Sequence, residues 1–256
     1  MPDDLPPPVT APGFVPAWSL PIGVKAWQST RGVGPLPYGG FNLGDHVGDD
    51  PGAVQLNRQR LQSVLPRQPV WLAQVHGTRV ITLTGSEGPA PLIGDAVLTS
   101  VPGVVCAIMT ADCLPVLLAD RLGRVVGAAH AGWRGLADGV LEALVDQMMR
   151  HADVHPSDLL AWLGPAIGPD AFEVGTDVRE AFLRQSVEHA RCFRPQDTVS
   201  GKWLADLPGL ATQKLERLGV ASVTGSDTCT YHAPDFYSYR REKITGRMAS
   251  MIWIEA

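Results

Sequence analysis

The stretch HAGWRG, residues 130–135, follows directly on the apolar run VVGAA at residues 125–129. Such an apolar run is typical of a buried strand, and the two glycines mark the turn that ends it. A strand-to-helix turn needs a glycine or a polar cap, but it does not need an imidazole and a guanidinium together. The stretch therefore predicts a core strand that passes into a helix, with a functional site at the end of the strand.

Outward from this turn, strands and helices mix without strict alternation. PVLLAD (115–120) and RVVGAA (124–129) bracket a short turn and predict a hairpin, and residues 136–152 have apolar positions at helical spacing. Further strands are predicted at 70–75, 79–84, 95–100, 104–109, 159–164, 220–225 and 247–255, and helices at 51–65, 177–190 and 208–218. We expect 79–84 to pair with 70–75. The fold class is α/β or α+β with a mixed β-sheet.

The length and composition favour a single large domain. Of the 256 residues, 45% are hydrophobic, which is enough for a sizeable core. Residues 1–17 are proline-rich and predict an extended or loosely ordered arm, so the domain is placed at 18–256. Residues 27–50 are dense in Gly, Pro, Asn and Asp, which predicts a long loop before the first helix.

Charge and cysteine usage exclude several function classes. The net charge of −5 argues against nucleic-acid or acidic-membrane binding, although a local pocket can still attract a small anion. The four cysteines form no C-x-x-C pair, and the N-terminus lacks a signal-peptide pattern, so we expect a reducing, cytoplasmic location. The longest apolar tract, 97–119, is interrupted by proline and aspartate and predicts core strands rather than a membrane span.

Three strand ends carry candidate metal ligands. QVHG (74–77), TADCLP (110–115) and HAGWRG contribute His76, Cys113 and His130. Zinc accepts two imidazoles and a thiolate, and three protein ligands leave a fourth position open, as in catalytic sites. Taken singly, each residue is more typical of core packing; the three together predict a catalytic metal site.

Two charged neighbours have candidate catalytic roles. Asp112 precedes Cys113 and is predicted to orient a ligand or act as acid or base, with an end-of-strand cap as the alternative. Its side chain points away from that of Cys113 unless the backbone turns there. Arg134 lies at the predicted start of the 136–152 helix, where backbone N–H groups and a guanidinium favour phosphate binding; a salt bridge at the rim is the alternative.

Four further residues are predicted to contact the substrate. Trp133 is placed for stacking on a base or sugar, or for packing, and Gln74 for orienting a polar substrate or pairing with a neighbouring strand. Asn42 from the loop 27–50 and Arg240 complete the substrate-binding set. Arg240 belongs to an aromatic and basic segment near the C-terminus, residues 229–250, which predicts a pocket wall, an interface or a solvated hairpin.

The sequence resembles the YfiH-like laccase-domain family from about residue 24 to the C-terminus. The resemblance rests on HVGDDPGAVQLNRQRL (46–61), QVHG, ADCLPV, HAGWRG, GPAIG with FEVG, and CTYHAPDFYSYRREKITGRMASMIW (229–253). It implies a single-domain layered α/β fold related to cysteine hydrolases. It also implies that His76, Cys113 and His130 bind a metal, usually zinc.

The resemblance implies small-molecule chemistry on nucleosides. Family activities include phosphorolysis of adenosine, inosine, guanosine and methylthioadenosine, and deamination of adenosine. The expected partners are therefore a nucleoside and phosphate, with neither nucleic acid nor membrane, in a monomer or a weak homodimer. Bacterial members are also implicated in removing misincorporated amino acids from peptidoglycan precursors.

Three alternatives stay open at this stage. A metal-free cysteine hydrolase would use Cys113 as nucleophile and His130 as base. A multicopper oxidase is disfavoured, because such enzymes need roughly ten histidines and the chain has seven. A structural zinc would need a fourth ligand, for which His46, Asp112 or Cys106 are available.

Overall fold

The computed structural model describes residues 10–88, 90, 92–196 and 200–256, and these form four packed layers. A helical segment covers one face of a four-stranded sheet, whose other face packs on a six-stranded sheet. Helices cover the outer face of the six-stranded sheet. The mixed α/β class is confirmed, but the strands form several sheets rather than one.

The six-stranded sheet is mixed and lies at the centre of the molecule. Its strands, in order across the sheet, are β14 (Ser222–Gly225), β10 (Leu159–Leu163), β8 (Leu114–Asp120), β9 (Val126–Ala131), β6 (Ala96–Thr99) and β4 (Val80–Thr82). The two outermost pairs are parallel and the inner pairs are antiparallel. The predicted hairpin of β8 and β9 is confirmed.

The four-stranded sheet is antiparallel, and two small sheets flank the main pair. The four strands are β1 (Gly13–Phe14), β2 (Val24–Ser29), β15 (Met248–Ile254) and β7 (Val105–Thr110). The small sheets contain β11 (Glu173–Gly175), β13 (Lys202–Ala205) and β12 (Phe193–Pro195), and the pair β3 (Leu72–Ala73) and β5 (Leu92–Ile93). The helices are α1 (Pro51–Arg60), α2 (Trp133–Asp138), α3 (Val140–Ala152), α4 (Thr176–Leu183), α5 (Leu207–Leu218) and α6 (Tyr239–Glu242).

The inner strands β6, β8 and β9 of the six-stranded sheet are buried on both faces, which explains the uninterrupted apolar runs in the sequence. In β8, Val116 and Leu118 pack towards the helices, whereas Leu117 and Ala119 pack towards the four-stranded sheet. Because both faces are buried, the strand shows no polar alternation. The tract 97–119 is accordingly β6, β7 and β8, and no helix of the described residues is long and apolar enough to cross a membrane.

Several predicted helix boundaries are confirmed. Asp50 caps α1, with its carboxylate accepting the Ala53 N–H at 2.8 Å. Gly219 ends α5 in the left-handed region at φ 86°. The sequence places both boundaries because each depends on a local cap.

Other boundaries were predicted wrongly for local reasons. The helix predicted at 136–152 is two helices, since Gly139 adopts φ 101° and interrupts it. The helix predicted at 177–190 is α4, with Gly175 rather than Thr176 or Asp177 as N-cap. It stops at Leu183, and a 3₁₀ helix follows over Val187–Cys192. There the Ser186 hydroxyl accepts the Glu188 N–H and starts the new turn.

Two further predictions need correction. The strand at 79–84 does not pair with 70–75; β4 runs parallel to β6, and β3 runs parallel to β5. The chain between β3 and β4 turns around a buried carboxylate instead of forming a hairpin. The loop predicted at 27–50 begins three residues later than predicted, because residues 27–29 belong to β2. Of the proline-rich arm, residues 1–9 lie outside the described residues, and Gly13–Phe14 pairs with β2.

Candidate active site

One edge of the six-stranded sheet gathers the candidate metal ligands. His130 lies near the end of β9 and pairs with Pro115, so Cys113 lies just before the start of β8 at the same edge. His76 precedes β4, which starts beside the first residue of β6. The ligand atoms of His76, Cys113 and His130 all lie within 4.8 Å of one another. The sequence prediction that these three residues converge is therefore confirmed.

The three ligands differ in exposure. The two imidazole rings meet edge to face with centroids 4.7 Å apart, and His76 Nε2 lies 3.8 Å from Cys113 Sγ. His130 is buried, Cys113 is half-buried and His76 is exposed. The triad therefore opens to the surface on the His76 side.

Asp95, which the sequence analysis missed, anchors two of the three ligands. Its carboxylate is buried, and Oδ1 accepts from His130 Nδ1 at 2.8 Å and from the His76 N–H at 2.9 Å. Oδ2 accepts from the N–H groups of Val75 and Gly77. Because Asp95 engages Nδ1 of His130, Nε2 of that ring is left for the triad. One signal was available: an aspartate stands immediately before the buried strand β6.

The triad is electrostatically coupled. Burial alone would raise the pKa of the Cys113 thiol, but the neighbouring His130 and His76 lower it to about 6. Burial would lower the pKa of His130, yet the Cys113 thiolate and Asp95 raise it to about 9. Burial alone would raise the pKa of the Asp95 carboxyl group. The hydrogen bonds that it accepts from His130, Gly77 and Val75 instead hold this pKa below the usual range. The site thus favours a thiolate, the form that binds metals.

The two glycines of HAGWRG are required by close approach. A Cβ atom at Gly132 would lie 2.8 Å from His76 Cδ2 and 3.1 Å from Cys113 Sγ. A Cβ at Gly135 would lie 2.8 Å from the Gly77 carbonyl oxygen. Only glycine lets the turn after β9 pack against the two other ligand segments.

Asp112 adopts an unusual backbone conformation beside the triad. Its φ of 94° turns the chain where β7 leads into β8, so the side chain enters the cavity instead of following strand alternation. Its Oδ1 accepts from Thr230 Oγ1 at 2.7 Å, and its Oδ2 accepts from the Arg240 N–H at 2.6 Å. A strained residue that is held by two hydrogen bonds at a cavity is typical of a functional site.

The triad forms part of the lining of a cavity of about 500 Å³, which suits a small organic ligand. Of the residues predicted from sequence, the cavity brings together His76, Cys113, His130, Asp112, Arg134, Trp133, Gln74 and Arg240. Asn42 is not among the lining residues; it lies behind them, where its Oδ1 accepts the Arg247 N–H at 2.8 Å. Arg247 lines the cavity and was missed by the sequence analysis.

The segment near the C-terminus forms the side of the cavity that we call the arginine wall, consisting of Tyr239, Arg240 and Arg247. Of the three predictions for this segment, the pocket wall is therefore confirmed. Gln74, in contrast, uses its amide structurally: it donates to the Met109 carbonyl and accepts the Met109 N–H, each at 2.8 Å. Of the two predictions for Gln74, pairing with a neighbouring strand is therefore the one that the hydrogen bonds support.

The donor set fits a transition-metal ion. Tetrahedral zinc with bonds of about 2.0–2.3 Å places nitrogen and sulfur ligands roughly 3.6 Å apart, close to the observed 3.8 Å. Asp95 behind His130 supplies the carboxylate that usually supports a metal-bound histidine. Among the described residues, the cluster has three ligands, which is the number found in catalytic rather than structural zinc sites.

A larger groove of about 890 Å³ runs along α1 but carries no comparable chemistry. Its lining contains neither histidine nor cysteine. Size alone does not make a site, because recognition depends on convergent polar groups. We therefore assign function to the smaller cavity around the triad.

The fold and this site define a layered α/β protein with a candidate two-histidine, one-cysteine metal centre. The family model described as multi-copper polyphenol oxidoreductase laccase matches residues 25–255, and the chain belongs to that family. It is 52% identical over 246 residues to the Escherichia coli protein named purine nucleoside phosphorylase YfiH, covering 94% of this chain and 98% of that one. A Pseudomonas aeruginosa purine nucleoside phosphorylase is 48% identical over 245 residues, with the same coverage.

Solved structures have the same architecture. A crystal structure of a Neisseria meningitidis protein superimposes with a TM-score of 0.85 at 44% identity, covering 95% of this chain and 99% of that one. The crystal structure of a Bacillus licheniformis protein titled YfiH gives a TM-score of 0.84 at 28% identity, covering 91% and 93%. The resemblance inferred from the motifs is thus confirmed.

Proposed function

We propose that this protein is a zinc-dependent purine nucleoside phosphorylase acting on adenosine, inosine, guanosine and methylthioadenosine, with a second activity that deaminates adenosine. The observation that carries the proposal is the convergence of His76, Cys113 and His130 in a cavity that also contains three arginines. The names of relatives about half identical in sequence support the same reaction. We place the protein in the cytoplasm, where thiols stay reduced.

In this proposal the chain's own residues bind and orient the reactants. His76, Cys113 and His130 would hold zinc, which supplies Lewis-acid stabilisation of developing negative charge. Gln74, Trp133 and Arg240 would line the space that the nucleoside occupies. Asn42 would support the arginine wall from behind. Arg134 and the other cavity guanidiniums would attract phosphate.

The proton transfer is assigned to Asp112. In phosphorolysis a phosphate oxygen bonds to C1′ of the ribose while the bond from C1′ to the purine nitrogen breaks. The electron pair of that bond leaves with the purine, which takes up a proton. Asp112 has a carboxylate in the cavity and a fixed orientation, so it would accept the proton of the attacking dihydrogen phosphate ion and pass it to the purine nitrogen.

The test is turnover of inosine and phosphate to hypoxanthine and ribose 1-phosphate. We expect wild-type protein to catalyse the reaction, and His76→Ala and Cys113→Ala to lose activity about a thousandfold while retaining the wild-type circular dichroism spectrum. Ammonia release from adenosine measures the second activity in the same preparations. Normal turnover in both folded variants would exclude the metal-based mechanism.

A second candidate is a cysteine hydrolase that edits peptidoglycan precursors. The specific observation in its favour is the series Cys113, His130 and Asp95, in which a low-pKa thiol neighbours an imidazole anchored by a carboxylate. This is the arrangement of a nucleophile, a base and an orienting group. About one zinc per chain in purified protein would argue for the phosphorylase, since a bound metal occupies the thiolate.

Copper is a less suitable metal despite the family's description. The chain has seven histidines in total, fewer than the roughly ten that a multicopper oxidase requires. Within the described residues, the metal-ligand cluster contains two of them. Metal analysis that finds copper, together with a blue absorption band, would overturn the assignment to zinc.

A further inference from the structure

Arg247 presents an unpaired guanidinium edge to the cavity. Its Nη1 donates to the carbonyl oxygens of Thr245 and Gly246, each at 3.0 Å. Its Nε and Nη2 have no hydrogen-bond partner within the described residues, although the side chain forms part of the cavity lining. A guanidinium has five N–H donors, so this edge is available to a ligand.

The other two cavity arginines are engaged differently. Arg240 donates from Nη1 to the Ala171 carbonyl at 3.3 Å and from Nη2 to the Glu173 carbonyl at 3.1 Å. Its guanidinium also lies 5.7 Å from the centre of the Phe172 ring. Arg134 is exposed and lies over the Trp133 ring at 4.5 Å. Arg240 and Arg247 are both half-buried, and of these two Arg247 has the free donor edge.

The charge balance around Arg247 favours an anion. The cavity lining holds three arginines and one carboxylate, Asp112, which already accepts hydrogen bonds from Thr230 and Arg240. Burial lowers the pKa of Arg247, and the charges of Cys113 and Asp112 offset this only in part. Arg247 is half-buried and has no paired carboxylate within the described residues, so a bound anion would compensate its partly desolvated charge.

The neighbouring loop holds Arg247 in place. Asn42 Oδ1 accepts the Arg247 N–H at 2.8 Å. A Cβ at Gly44 would lie 2.7 Å from Arg247 Cγ and 3.1 Å from its Cβ, so the aliphatic stem occupies space that only glycine leaves free. The backbone and the stem of Arg247 are therefore fixed by the 42–44 loop, and its guanidinium is oriented by two carbonyl groups of its own segment, as expected of a preorganised binding group.

We propose that Arg247 is the anion subsite of the cavity and binds a phosphate group through its free Nε and Nη2 edge. The forked geometry of two parallel N–H donors matches two oxygens of a tetrahedral phosphate. This proposal rests on the proposed function, in which inorganic phosphate is the co-substrate. It gives the phosphate-binding role to Arg247 rather than to Arg134.

The first experiment measures binding of inorganic phosphate to the zinc-loaded protein by isothermal titration calorimetry. For Arg247→Gln we expect the Kd to rise about 10- to 100-fold, the usual effect of losing hydrogen bonds to a charged group. Arg247→Lys keeps the charge without the fork and should give a smaller increase of about 3- to 10-fold. Arg150→Gln, on the exposed surface of α3 and paired with Asp146, is the matched control and should bind as wild type does.

Gly44→Ala tests the subsite without replacing the arginine. It should raise the phosphate Kd by displacing the Arg247 stem, and thermal unfolding of each variant verifies that it is folded. A phosphate Kd unchanged in folded Arg247→Gln, or absence of phosphate binding to wild type, would overturn the subsite.

The second experiment separates the subsite from the reaction. With inosine, Arg247→Gln should raise the KM for phosphate about tenfold or more and leave the KM for inosine within about twofold. If wild type shows no phosphorolysis while phosphate binding still depends on Arg247, the proposed function fails and the subsite stands. If adenosine 5′-monophosphate, but not inorganic phosphate, depends on Arg247, the subsite serves a nucleotide and the assignment to the co-substrate is overturned.

Discussion

The two sides of the cavity are held in place by different means. The triad is positioned by strand ends of one sheet, and a single buried carboxylate, Asp95, accepts hydrogen bonds from both of its histidine segments. The arginine wall comes from the short helix α6 and the loop that follows it, and it depends on distant partners, such as the Asn42 side chain 205 residues before Arg247. We infer that the metal centre shares the rigidity of the sheet, whereas ligand recognition depends on packed loops. Changes on one side should therefore leave the other largely intact.

Asp95→Asn should have the largest effect, because it removes the anchor of the triad. The His130 Nδ1–H loses its carboxylate partner, and the amide group places N–H donors against backbone donors of the 75–77 turn. We expect zinc affinity to fall about 10- to 100-fold and the free energy of unfolding to drop by about 3 kcal/mol. Competition with a chelator and urea unfolding measure the two quantities. Wild-type zinc affinity would show that Asp95 only supports the fold.

The coupling within the triad should also be visible in how the alkylation rate of Cys113 depends on pH in metal-free protein. Because its pKa is lowered to about 6, the thiolate dominates above that pH. Alkylation by iodoacetamide should rise through pH 6 and level off above it, at least two pH units below an ordinary thiol. Mass spectrometry of the modified peptide gives the midpoint. In His130→Gln the midpoint should move upward, and a wild-type midpoint above 8 would contradict the coupling.

The strand ends explain why the triad could be predicted from sequence. Each ligand follows or precedes an apolar run, and turns at sheet edges bring such positions together whatever the register inside the sheet. Thus His76, Cys113 and His130 were identified even though the pairing of 79–84 was predicted wrongly. The mixed α/β class followed similarly from the pattern of runs, but the division into two main sheets did not, because apolar runs do not specify their partners.

The arginine wall could not be predicted in the same way. Arg240 is engaged by carbonyl groups of the distant 171–173 segment, and the backbone of Arg247 is held by Asn42; no local pattern encodes those contacts. The same holds for Asn42, whose position in the sequence placed it near the substrate but whose amide is used within the protein. Gly139 changed a helix limit because its left-handed conformation, rather than apolar spacing, decides where α2 ends and α3 begins.

Gly132→Ala should weaken the metal centre without changing the arginine wall. The added methyl group would collide with His76 Cδ2 and approach Cys113 Sγ, so these ligands must shift. We expect about a tenfold loss of zinc affinity, at the lower end of the effect of disturbing a metal-supporting contact, and an unchanged Kd for inorganic phosphate. Gly88→Ala, where nothing lies within 4 Å of the new Cβ, is the control. Equal zinc affinities of the two variants would contradict the close-packing explanation.

Asn42→Ala should disturb the arginine wall and leave the metal centre intact. It removes the acceptor of the Gly44 and Arg247 N–H groups and the donor to Asp49, in hydrogen bonds that are buried or partly buried. We expect the free energy of unfolding to fall by about 1–3 kcal/mol, the cost of leaving buried donors unpaired, with one zinc still bound per chain. Loss of zinc together with stability would show that the two sides of the cavity are not independent.

Arg134→Gln is expected to have the smallest effect and therefore sharpens the comparison between exposed and half-buried arginines. Its guanidinium is exposed and stacks on the half-buried Trp133, a contact that contributes about 0.5–1 kcal/mol at exposed sites. Solvent already compensates its charge, so removal should change the unfolding free energy by no more than that and the phosphate Kd by less than about threefold. Parallel titrations of Arg134→Gln and Arg247→Gln provide the measurement. If Arg134→Gln weakened phosphate binding more than Arg247→Gln, the helix start after β9, rather than the arginine wall, would be the phosphate site.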